Sequence, residues 1–84
     1  MPAITPIPPG VMKDLLVLAN WTVSAEGRFN WILTRGGNQI VVPKRGEMLS
    51  LTIFEDILTK ARLDPGQFWE LLSKTGFDRY ADLR

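Results

Sequence analysis

Arg28, Lys44 and Arg45, with Asn30 two residues after the first of them, are the side chains in this 84-residue chain best suited to chemistry. Their chemistry is the binding of phosphate. Arginine and lysine supply fixed or mobile positive charge, and an asparagine amide adds neutral donors and acceptors. Proton transfer is poorly served. The chain has no histidine and no cysteine, and neither Phe29 nor Asn30 can take a proton near neutrality. The same inventory excludes disulfides and thiolate ligands, so neither a metal nor a cofactor is expected. A chain without cysteine fits a reducing cytoplasm. No apolar run is long enough for a membrane span or a signal segment, so no membrane partner is expected.

Net charge is only +1, yet it is unevenly spread. Residues 1–45 carry five cations and two carboxylates, a balance of +3, and residues 46–84 carry five and seven, a balance of −2. Ordinary surface scatter is one reading of this; a basic face on the first half is the other.

The elements that must position these residues follow from spacing. Prolines at 2, 6, 8 and 9 mark residues 1–10 as an N-terminal arm. A first helix is expected from Val11 to Ala19, with Val11, Leu15 and Leu18 on one face, Met12, Leu16 and Ala19 beside them, and Asn20 as its stop. Three strands follow. Trp21, Val23 and Ala25 alternate with polar neighbours in the first, Trp31 and Leu33 in the second, Ile40 and Val42 in the third. Glu26-Gly27 and Arg35-Gly36-Gly37-Asn38 are hairpin links, so neighbouring strands should be antiparallel. A second helix starts at Ser50 or Thr52 and buries Phe54, Ile57, Leu58 and Ala61. Asp64-Pro65-Gly66-Gln67 opens a third with capping-box spacing, and Gly76 ends it. The expected fold is α+β, in the order α-β-β-β-α-α, with a three-stranded antiparallel sheet and helices on one face. Residues 11–76 form the domain, and residues 77–84 a tail.

This topology makes a specific demand. In a meander, the start of the second strand and the end of the third share one end of the sheet. Arg28, Lys44 and Arg45 should therefore form one basic patch, with the Gly46 loop beside it and Arg35 at the far end.

From about Met12 to Leu72 the chain resembles the HicA (YcfA-like) family, mRNA interferase toxins of bacterial toxin–antitoxin pairs with a double-stranded-RNA-binding-like fold. Gly27 matches the family's turn glycine and Val42-Pro43 its strand end. Lys44-Arg45-Gly46 matches its basic loop, with Leu49 the apolar residue after it. Ile57-Leu58 with Ala61 matches the second-helix core, and residues 63–68 the entry to the third helix. The resemblance implies a cytoplasmic, bacterial RNA-handling protein with mRNA as ligand and a HicB-like antitoxin as possible partner. The family's catalytic histidine falls on Phe29, its preceding serine on Arg28, and a frequent glycine on Arg62. The resemblance thus implies an endoribonuclease fold whose histidine-dependent chemistry is lost, leaving no catalytic residue to name. Three functions stay open. One is RNA binding through Arg28, Lys44, Arg45 and Asn30, with Phe29 or Trp31 offered to bases. Another is pairing with an antitoxin-like protein. The last is a weak histidine-free nuclease using Lys44, Arg45, Glu26 and Arg28.

Overall fold

A computed structural model describes residues 7–46 and 48–76. Helix α1 spans Pro9–Leu18, strands β1, β2 and β3 span Thr22–Glu26, Asn30–Arg35 and Asn38–Pro43, and helices α2 and α3 span Leu51–Ala61 and Pro65–Lys74. The sheet is an antiparallel meander in the order β1-β2-β3. All three helices cover the same face of it, and the other face is open. The expected class, element order and sheet are those observed.

The core fills the space between sheet and helices. Leu33, Ile40 and Val42 from the sheet meet Met12, Leu15 and Leu16 of α1, Phe54, Ile57 and Leu58 of α2, and Phe68 and Leu72 of α3. Phe54 and Phe68 meet edge to face, with centroids 5.4 Å apart, which fixes α2 against α3. Trp21, Ile57, Leu58 and Phe68 are buried as expected.

Helix ends follow local chemistry. At α3, Asp64 accepts from the Gln67 backbone N–H at 2.8 Å and the Gln67 side chain accepts from the Asp64 N–H at 3.1 Å, which completes the capping box. Of the two possible starts for α2, Ser50 is the cap, its hydroxyl accepting from the Ile53 N–H. Arg62 closes α2 in the left-handed region at φ 58°, the conformation that explains why glycine suits this position. The β2–β3 turn needs glycine for the same reason: Gly36 and Gly37 both have positive φ, the type I′ pattern that matches strand twist.

Three expectations need correction. Leu18 is not on the core face of α1; it is 44% exposed. The buried stripe is Met12, Leu15, Leu16 and Ala19, whose i, i+3, i+4, i+7 spacing turns Leu18 outward. Residues 7–10 belong to the fold rather than to an arm. Ile7 is buried and its carbonyl accepts from the Leu49 N–H at 3.0 Å, while Pro9 opens α1, where its missing N–H costs nothing. The rest of that arm and the tail from residue 77 lie outside the described residues. Finally, Ala25 does not continue the inward alternation of Trp21 and Val23. The β1–β2 register steps from Val23↔Leu33 to Ala25↔Ile32, so Ser24 is the extra residue of a β-bulge. The Ser24 hydroxyl donates to the Ile32 carbonyl at 3.1 Å and pins the bulge. Beyond it Glu26 pairs with Trp31, which itself pairs with the buried Val42, so Glu26 lies on the helix-covered side.

Candidate nucleic-acid interface

The β1–β2 turn and the end of β3 are joined directly. Gly27 N–H donates to the Asn30 carbonyl at 2.8 Å and closes a three-residue turn, Gly27-Arg28-Phe29. Lys44 N–H donates to the Phe29 carbonyl, also at 2.8 Å. Arg28, Lys44 and Arg45 are therefore brought to one end of the sheet, with Asn30 opposite Pro43 at the same end. Arg35 lies at the other end. Its guanidinium donates to the Ala19 carbonyl at 2.9 Å, satisfying the C-terminus of α1, and lies 5.0 Å from the centre of the Trp21 ring. The indole N–H of buried Trp21 has no acceptor among the described residues.

The three cations are not equivalent. Lys44 Nζ is 2.8 Å from Glu26 Oε2 and 4.9 Å from the centre of the Trp31 ring, and its side chain is mostly covered. Lys13, reaching from α1, approaches the same ring at 5.5 Å and pairs with Asp14 at 2.6 Å. Trp31 is half-buried against the core and carries two ammonium groups. The hydrogen bond from Lys44 to Glu26, and then the lysine charge itself, hold the Glu26 carboxyl below its ordinary value; Trp31 and Lys13 add smaller effects in the same direction. Arg28 and Arg45 are exposed and ion-pair with no carboxylate among the described residues. The Arg28 guanidinium lies 5.7 Å from the centre of the Phe29 ring.

Between this turn and the loop entering α2 lies an open groove of about 930 Å³, lined among others by Phe29, Asn30, Pro43, Arg45, Ser50 and Ile53. Phe29 is 63% exposed, more than any other large apolar side chain described. The sequence marked the three cations and Asn30. It did not show that Lys44 is neutralised, because the pairing depends on the Ser24 bulge, which alternation alone does not reveal. Among the described residues no cluster of three potential metal ligands occurs, and no helix is long and apolar enough to cross a membrane. No protein-family model matches the chain, and neither a curated protein nor a solved structure matches it.

Proposed function

We propose that this chain is a cytoplasmic RNA-binding protein resembling the HicA-type toxins, contacting phosphates with Arg28 and Arg45 and not cleaving RNA by a histidine-dependent route. The observation that supports it is the convergence of Arg28, Asn30, Lys44 and Arg45 at one end of the sheet, where Asn30 and Arg45 line an open groove and the two arginines are unpaired among the described residues. A guanidinium free of carboxylate is available to a phosphate without first breaking an ion pair. Lys44 contributes only after parting from Glu26. The same pair argues against the histidine-free nuclease. A carboxylate whose proton affinity is lowered by a bound ammonium is a weak general base near neutrality.

A salt-dependent titration of RNA binding tests this reading. Replacing both arginines with alanine should weaken binding to many sequences alike and lower the slope of log K against log salt by roughly 1–2 units. Lys44→Ala should lower it less. Salt-independent binding, or none, sinks the proposal and turns attention to a protein partner such as a HicB-like antitoxin. That second reading draws on the exposed Leu51 and Ile53 at the start of α2.

A further inference from the structure

We infer that the ligand of the groove is an unpaired nucleotide, its base stacked on the face of Phe29, so that the RNA is held single-stranded rather than as duplex. The inference rests on the RNA reading above and specifies the ligand.

The ring is the first argument. A phenylalanine exposed to this degree leaves apolar surface in water, and here that surface borders a groove with room for a base. Asn30 and Ser50 in the lining can meet polar base edges, and Pro43 and Ile53 supply apolar walls. The Arg28 guanidinium lies over the Phe29 ring, 5.7 Å from its centre, so a base would stack on the opposite face with a cation within reach of the phosphate that follows it. The other aromatic at this end, Trp31, is unsuited: it is half-buried and already shared by Lys13 and Lys44.

The charge is the second argument. A duplex binder reads shape by touching phosphates over a long stretch of helix, and its own bases are already stacked on one another, so they offer Phe29 no free face. Most other described cations are engaged: Lys13 with Asp14, Lys44 with Glu26, Lys60 with Asp56, Lys74 with Glu70, and Arg35 with the end of α1. Two arginines beside the groove suit a short stretch of strand. A second depression of about 290 Å³ shares Asn30, Pro43 and Ile53 with the first and runs along β3 and α2 to the Asp56–Lys60 pair, whose carboxylate would turn a strand aside there.

The test is fluorescence polarisation with a labelled RNA of about twelve nucleotides in three forms: unpaired, annealed to its complement, and with abasic sites in place of its bases. The parent protein should bind the unpaired form at least about tenfold more tightly than the other two. Phe29→Ala, whose exposed site leaves the fold intact, should lose about ten- to a hundredfold on the unpaired form and nothing on the abasic one. Phe29→Trp should keep the affinity. Equal binding of all three forms, weakened by Arg45→Ala but not by Phe29→Ala, overturns the base site and leaves the RNA reading standing. Absence of binding to every form overturns both.

Discussion

A phenylalanine ring neither accepts nor releases a proton, and Phe29 is the side chain that the β1–β2 turn gives to solvent. Folded protein incubated with labelled mRNA should therefore show no rapid cleavage. Phe29→His should restore little, because acid–base catalysis needs a partner and a substrate pose as well as an imidazole. Rapid cleavage by the parent, abolished by removing Lys44 and Arg45, would reverse this conclusion. Glu26 makes a separate claim. Its folded pKa lies below the ordinary 4.5, so its contribution to stability is present above that value and is lost as pH falls through the depressed one. Parent and Glu26→Gln should differ in chemical-denaturation midpoint at neutral pH, and the gap should close on acidification. A gap that persists in acid would mean that packing, not charge, separates the two. At neutral pH the same substitution frees Lys44, and RNA affinity should rise.

At the scale of elements, what the sequence revealed and what it concealed have distinct physical causes. Asp64-Pro65-Gly66-Gln67 was legible because a capping box is local: four consecutive residues satisfy one another. The meander was legible because Gly36-Gly37 suits only a tight turn of this kind. The face of α1 was not, since Val11, Leu15 and Leu18 and the neighbouring Met12, Leu16 and Ala19 stripe are both plausible helix faces, and only the packing of sheet and α3 selects between them. For the site, the gathering of Arg28, Lys44 and Arg45 followed from topology, whereas their unequal availability followed from side-chain pairing that topology does not contain. Arg62 carries the cost of a local misfit. A side chain with Cβ in the left-handed region is disfavoured by roughly 1–2 kcal/mol, and only part of that returns as the entropy of a freer glycine when unfolded. Arg62→Gly should stabilise the domain by about 1 kcal/mol in urea denaturation. No gain would show that the arginine stem makes compensating contacts.

The whole molecule divides its work between the two ends of one sheet. The Arg35 end ties α1 to β2 and Trp21, and the Arg28–Arg45 end carries the groove. Binding variants should thus fold normally. Core variants should not: Ile57→Ala should cost roughly 2–5 kcal/mol, a large share of the stability of so small a domain, read as a lowered denaturation midpoint. A loss under about 1 kcal/mol would mean that α2 closes over the gap. The bulge at Ser24 has a consequence for charge. A strand repeats every two residues, so one inserted residue acts as a change of parity for all that follows in β1. Val23 and Glu26 are three apart and would face opposite sides of a regular strand; the extra residue puts them on the same side, so deleting Ser24 should leave Glu26 opposite Trp31 and beside Lys44. Were β1 to pair regularly with Ser24 kept, Glu26 would turn to the open face, the groove would face RNA with three available cations in place of two, and the salt slope would steepen by about 0.7 on a single strand. Not one lysine, arginine or glutamate would have changed, and the formal charge would still be +1. The effective valence of this site is set by the register of a strand.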